Sequence, residues 1–409
     1  VTEAIWSPGW FVVAFIIAFG ALAAAAAMYL LVLAIAAFAY REPEFGVDPS
    51  SRLVVLVPAH NEADLIQRCV ASLRNQDYPP DRFQIIVVAD NCTDDTEGLA
   101  RAAGVDVLVR EAPEARGKGQ ALRWGMDRVL ARLEPPDAFV VIDADSVADR
   151  GLLSGLVAYL ERGAEAVQAE YLVLDDLASP RVQLRAVAFL LFHRVRFAGR
   201  AALHLPCNLV GNGMLLSRTL MERHPWNAFT GAEDLEYSLT LRLEGVLPVF
   251  AGSALVRGPV PASRRSAQVQ RERWEGGRLH AVRRALPRLL RAILVQRRIS
   301  LVDAAVDLLV PPLGLLAVGA LAGVVLVLAL WSAGLVSLWL LTPWLISLGA
   351  ITGFVTVGLR AAKAPAWMYR RLISTPAFLV QKLLGTVSVV RSHAADKWIR
   401  TERPSEIAS

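Results

Sequence analysis

Val140-Val141-Ile142-Asp143-Ala144-Asp145 joins an unbroken apolar run to two carboxylates spaced i and i+2. The apolar residues predict a parallel strand covered on both faces. In an open α/β sheet, ligands gather at the carboxyl ends of such strands, where Asp143 and Asp145 fall. Two carboxylates there repel one another unless a cation lies between them. A divalent metal holding a diphosphate would meet that need, and would make this a place from which a nucleotide departs.

The segments before this run repeat its logic. Apolar stretches predict strands over 53–57, 83–89, 105–109 and 138–142, and helical spacing predicts helices over 62–75, 93–103 and 119–133. Such alternation predicts an α/β domain with a mostly parallel sheet and right-handed crossovers.

Further out, the composition changes. The 409 residues are 55% hydrophobic, but the excess is concentrated in 10–40 and 308–359, which carry no charge. About 20 apolar residues cross a bilayer. The first run is therefore one span, and the second is two, over 308–330 and 336–359, broken at Trp331-Ser332-Ala333-Gly334. A signal peptide does not suit the first run, which is too long and has no Lys or Arg before it. Basic residues follow the first span at Arg41, crowd between 264 and 298, and follow the last span at Arg360, Lys363, Arg370 and Arg371. That bias predicts an N-terminus outside, and a globular domain and C-terminus on the cytosolic side of the cytoplasmic membrane.

The expected domains are a membrane helix over 1–41, a cytosolic domain over 42–277, an amphipathic interface helix over 278–300, two spans over 301–360, and a C-terminal interface helix with a basic tail over 361–409. In the interface helix, Leu279, Val282, Leu286, Leu289 and Leu290 can share a face with arginines opposite. Asp303 and Asp307 are expected near the membrane surface. The net charge of +5 does not require nucleic acid, because the basic surplus sits beside apolar helices and suits anionic lipid headgroups. Cys69, Cys92 and Cys207 lack metal-ligand spacing and are expected to be free thiols. The spans have no central ionisable residue to mark a transport path.

Six further segments stand in order around the acidic pair. Val57-Pro58-Ala59-His60-Asn61-Glu62 follows the first strand, and Asp90-Asn91-Cys92-Thr93-Asp94-Asp95 ends the second. Gly117-Lys118-Gly119 opens a helix, and Cys207-Asn208-Leu209-Val210-Gly211-Asn212-Gly213 forms a glycine-containing segment. Gly231-Ala232-Glu233-Asp234 starts another helix, and Gln270-Arg271-Glu272-Arg273-Trp274 precedes the membrane return. Together with Asp143-Ala144-Asp145, this series resembles the membrane-bound family 2 glycosyltransferases, which include polysaccharide synthases and ceramide glucosyltransferases. The resemblance covers about residues 53–280.

The resemblance implies a Rossmann-like GT-A domain and a nucleotide-sugar donor, with uridine as the base. Pro58, Ala59, Asn61 and Glu62 would line the base and ribose, and Asp90 would accept the uracil N–H. Lys118 would lie along the nucleotide. Asp145 would ligate Mg²⁺ or Mn²⁺, with Asp143 supporting nucleotide and metal. Asp234, beside Glu233, would be the general base. Gln270, Arg273 and Trp274 would meet the diphosphate and a sugar ring. The family's threonine before this acidic pair is Ala232 here, with Thr230 two residues earlier. The implied activity is inverting transfer to a lipid-linked or short saccharide acceptor. The alternatives are a processive polysaccharide synthase and, in another class, a non-catalytic scaffold. Implied partners are donor, acceptor and membrane lipids, with an accessory subunit or second copy for an assembly, and no nucleic acid.

Overall fold

The computed structural model describes residues 8–43, 50–174, 179–260 and 264–372. The expected C-terminal interface helix over 366–390 and the basic tail mostly lie outside these residues. The chain divides into two units. One holds α1 (Pro8–Ala36), Leu190–Leu203 and the chain from Asp307, and the other holds Arg41–Phe189 and His204–Val306. Labels follow chain order.

In the second unit, β1 (Leu53–Ala59), β2 (Phe83–Asp90), β3 (Asp106–Arg110) and β4 (Ala138–Val141) form a parallel ladder, with Leu53 opposite both Phe83 and Ala138. Val55 and Val57 point into one core with Ile66, Leu73, Val140 and Leu156. Val54 and Leu56 point into another with Leu122, Met126, Phe139 and Trp226. Strands buried on both faces explain the unbroken apolar runs. The crossovers are α2 (Ile66–Arg74), α3 (Thr96–Ala102) and α4 (Lys118–Leu130).

Beyond β4 the sheet becomes mixed. Its order is β3-β2-β1-β4-β7-β6-β8-β5, with β5 (Val147–Ala148), β6 (Ala166–Val173), β7 (Met214–Ser217) and β8 (Val249–Gly258). β7 runs antiparallel to both β4 and β6, whereas β6 and β8 are parallel. The remaining helices of this unit are α5 (Leu152–Leu160), α6 (Pro180–Phe189), α8 (Arg218–Arg223), α9 (Glu233–Leu243) and α10 (Arg264–Leu294).

The helix expected from residue 62 starts later, at Ile66. Asn61 adopts φ 53° and ends the strand in a left-handed turn. The Glu62 carbonyl then accepts from the amides of Leu65 and Ile66.

The other unit contains α1, α12 (Leu313–Ser332) and α13 (Thr342–Ala361), with α7 (Phe197–Ala202), α14 (Ala366–Arg371) and the end of α11 (Val302–Leu309). Three helical stretches, Trp10–Ala39, Leu313–Ser332 and Leu338–Ala361, are long and apolar enough to cross a membrane. Sequence periodicity did not single out the π-helical turn Leu190–Arg196 and α7, which pack against α1. They bring Arg196 and Arg200 to Asp307, at 2.6 and 2.9 Å. Tyr29 donates to the same carboxylate oxygen at 3.1 Å. Asp307 is only 3% exposed and is buried between these guanidiniums.

Candidate active site

Asp143 and Asp145 leave β4 on the same side, both half-buried, while Ala144 between them is buried. The backbone amide of Asp143 donates to Asn212 Oδ1 at 3.2 Å. Asn212 Nδ2 donates to Ser146 Oγ at 2.8 Å, and that hydroxyl donates to Asp145 Oδ1 at 3.1 Å. Gln168 fixes this loop by donating to the Asn212 carbonyl and accepting from the Val210 amide. Asn212, Ser146 and Gln168 are fully buried, so the acidic pair stands on a rigid polar support.

Lys118, at the first turn of α4, donates to Asp143 Oδ1 and to the Gly211 carbonyl. Gly211 has φ +78°, and a Cβ there would sit 3.2 Å from Asp234 Oδ2 and 3.3 Å from Lys118 Nζ. Lys118 and Asp234 therefore meet at one glycine, which any side chain would push apart. The segment carrying Gly211 is tied to α9 by Leu209 N donating to Ser238 Oγ at 2.7 Å.

The carboxylates share an electrostatic environment. Burial pushes the Asp234 carboxyl up to about 7, helped by Glu233 and opposed by its bond from the Leu235 amide and by Lys118. Burial also raises Asp143 against the pull of Lys118, with Asp145 adding to the rise. For Lys118, burial favours the neutral amine, but Asp143 and Glu233 outweigh it and hold the ammonium. The cluster thus gathers Asp143, Asp145, Glu233 and Asp234 around a single bonded ammonium.

The other expected residues fall as follows. Asn61 exchanges hydrogen bonds with Thr93, 2.7 Å from its amide and 3.0 Å to its hydroxyl, and joins the ends of β1 and β2. The Glu62 amide donates to Thr96 Oγ1 at 2.7 Å. Pro58 and Ala59 end β1 beside Val88 and Ala89. Asp90 is buried and receives Arg110 Nη1 at 2.5 Å. Arg110 had no sequence signal, because only the β2–β3 pairing places it opposite Asp90. Thr230 donates to Glu236 at 3.0 Å, so its hydroxyl braces α9.

Gln270, Arg273 and Trp274 share one face of α10 by i, i+3, i+4 spacing. Arg273 Nε is buried without a hydrogen-bond acceptor among the described residues. A second missed residue, Tyr171, lies between this motif and the carboxylates. Burial raises its phenol, then Asp145 and Asp143 add to the shift, while Arg273 opposes it. Its ring meets Phe189 edge-on at 5.5 Å between centroids, and Phe189 lies 6.3 Å from Trp274. An aromatic path therefore runs from the acidic cluster to Trp274, which is 43% exposed.

Among the described residues, no group of three or more His, Cys, Asp or Glu side chains could hold a metal alone. Asp143 and Asp145 suit a cation of the Mg²⁺ type, which takes one or two carboxylates and completes its shell with substrate phosphates and water. The three cysteines are free, and burial followed by Asp145 and Asp143 raises the Cys69 thiol, which keeps it protonated.

Comparisons with known proteins agree with this architecture. Residues 54–208 match the model of Glycosyl transferase family 2, and residues 138–357 match that of Glycosyl transferase family group 2. The chain belongs to the family 2 glycosyltransferases. It is 25% identical over 240 residues to the probable glycosyltransferase YdaM of Bacillus subtilis, covering 56% of each chain. It is 28% identical over 246 residues to the β-monoglucosyldiacylglycerol synthase of a Synechocystis strain, covering 56% of this chain and 48% of the relative. The matched region thus spans about half the length of these relatives. Among solved structures, a Pyrobaculum calidifontis mannosyltransferase in complex with GDP-Man and Mn²⁺ matches 84% of this chain and 99% of its own, with a TM-score of 0.51 and 21% identity. That likeness concerns the fold, a Rossmann-like GT-A sheet.

Proposed function

We propose that this glycosyltransferase moves a sugar, with inversion, from a nucleotide diphosphate to an acceptor hydroxyl at the cytosolic face of the membrane. The observation carrying this reading is the Gly211 junction, where the candidate base Asp234 and the lysine bonded to Asp143 meet. One bound donor can then be reached from both sides.

In the proposed reaction, Asp234 accepts the acceptor's O–H proton. The resulting oxygen nucleophile forms a bond to the anomeric carbon, and the opposite carbon–oxygen bond breaks. Its electron pair leaves with the nucleotide diphosphate, so an α-linked donor gives a β-linked product. Asp145, with Asp143, would hold Mg²⁺ or Mn²⁺, which supplies positive charge to the departing diphosphate. Lys118 can leave Asp143 for a phosphate oxygen, and Arg273 offers a planar fork with an unmatched donor. Asp90, held by Arg110, is assigned to the base, with uridine the expected nucleoside. Trp274 and Phe189 offer ring faces to the acceptor side.

A lipid or short saccharide acceptor is favoured over a growing polymer. The three candidate spans among the described residues would enclose a polar conduit poorly, since polar surface in a bilayer must be sheltered by protein. The Synechocystis relative's name also denotes a glycolipid product. The test is a screen of nucleotide sugars for cation-dependent nucleotide release, followed by mass spectrometry of the product. A single added hexose on a lipid supports the reading. A ladder of sugar lengths assigns a processive synthase, and no release with any donor overturns the transferase mechanism.

A further inference from the structure

α10 joins two features that the sequence separates. It is one continuous helix of 31 residues, with the Gln270–Trp274 motif near its start and the arginine-rich stretch at its end. At about 100° per residue, its surface divides into faces. Gly277, Ala281, Ala285, Leu289 and Ala292 form the buried stripe, with α9 packed against the helix. Leu289 was expected on the lipid face, but it is fully buried here. Leu279, Leu290 and Leu294 point away from that stripe and are 50%, 43% and 76% exposed. Arg283 stands among them and Arg291 flanks them, while Arg288 rises at the edge of the buried stripe; all three are exposed. Beyond the helix, Val295 and Ile299 are 72% and 75% exposed, with Arg297 between them. Exposed leucines interleaved with arginines suit the boundary between acyl chains and anionic headgroups. The chain reaches its second apolar span at Leu313, shortly after this stretch.

The opposite side of α10 touches the catalytic helix at its most sensitive point. A Cβ on Gly277 would lie 2.7 Å from Ala232 Cβ and 2.9 Å from its amide nitrogen, so the two backbones are in direct apposition. Ala232 immediately precedes Glu233 and Asp234. One turn further along, Arg284 pairs with Glu236 at 3.5 Å, and Glu236 also holds Thr230. Arg273 lies against Gly231, its Cγ 3.1 Å from where a Cβ would be.

We infer that α10 is a lipid-charge sensor: its Leu/Arg face binds the anionic headgroup layer, and its Gly277 face transmits that binding to the Gly231–Asp234 turn, raising turnover. This deepens the proposed transfer reaction and rests on it for the turnover effect alone.

The full-length chain is placed in bilayers of phosphatidylcholine alone or with about one third phosphatidylglycerol, at low and high salt. Three quantities are read: the relative association of spin-labelled phosphatidylglycerol and phosphatidylcholine, amide hydrogen exchange over 231–236, and nucleotide release. At about 1 kcal/mol per basic residue, the expected preference for phosphatidylglycerol is several-fold, falling toward parity in high salt. Exchange over 231–236 slows and release rises several-fold on the anionic bilayer.

Arg283→Gln/Arg288→Gln/Arg291→Gln should abolish the preference and the stimulation, and the corresponding lysine variant should restore both. Gly277→Ala should keep the lipid preference and lose the slowing of exchange. Equal association of the two lipids with the native chain, or an unchanged response in the glutamine variant, overturns the sensor. Preference without slower exchange overturns the transmission. If preference and exchange respond but no donor releases nucleotide, the sensor stands and the transferase mechanism fails.

Discussion

Two buried charge clusters, one in each unit, are built on opposite plans. Around Asp307, two guanidiniums and a tyrosine hydroxyl converge on one carboxylate. Around the Lys118 ammonium, the carboxylates of Asp143, Glu233 and Asp234 gather, with Asp145 beside Asp143. The first gathers donors onto one buried carboxylate, although Arg196 Nε finds no acceptor among the described residues. The second is rich in negative charge, and burial raises the carboxyls of Asp143 and Asp234. On the proposed reading, the first cluster is a clamp and the second is the reaction centre.

The strongest challenge to this contrast is Asp234→Asn. Loss of the base should reduce turnover by about 10²–10⁴-fold and leave donor affinity, measured by calorimetry, within a few-fold. Near-normal turnover would remove Asp234 from its role. Next in size is Asp307→Asn, which leaves two buried guanidiniums without their carboxylate. The expected cost is about 3–5 kcal/mol, read as a lower unfolding midpoint in detergent. Replacing Asp307, Arg196 and Arg200 together with apolar residues should recover most of that loss, and failure to recover would give the cluster more than a clamping role.

Asp145→Ala should weaken cation-dependent donor binding about tenfold or more, with little change in binding measured without Mn²⁺. The smallest expected effect is the pH profile. Asp234 must be unprotonated to accept a proton, and its carboxyl lies near 7. Turnover per free enzyme should therefore fall about tenfold per pH unit below that value and level off above it. A flat profile from pH 5 to 8 would separate the titration from the chemistry.

The parallel half of the sheet was legible because β1, β2 and β4 are largely buried on both faces and declare themselves locally, and the short, partly exposed β3 still reads as an apolar run. The mixed half was not. β7 enters between β4 and β6 in the reverse sense, and nothing within Met214–Ser217 records its neighbours. The site divides in the same way. Asp143 and Asp145 were singled out because acidic residues at the end of an apolar run are conspicuous, whereas Asp234 was singled out by the resemblance alone. Arg110, Tyr171, Ser146 and Gln168 act through contacts distant in sequence, so their positions carried no signal. The Leu289 face was misassigned for a related reason: periodicity shows that a helix has an apolar stripe, but not which part of it the protein itself covers.

The bond between Lys118 and Asp143 has a consequence for kinetic order. On the proposed assignment of Asp143 and Asp145 to the cation, an ammonium bonded to Asp143 acts as a tethered counter-ion that would resist loading by free divalent ions. Lys118 must be offered another anion before it lets go, and a diphosphate is such an anion. Donor and cation should consequently load as one package, with nucleotide-free protein showing little appetite for either Mg²⁺ or Mn²⁺ alone.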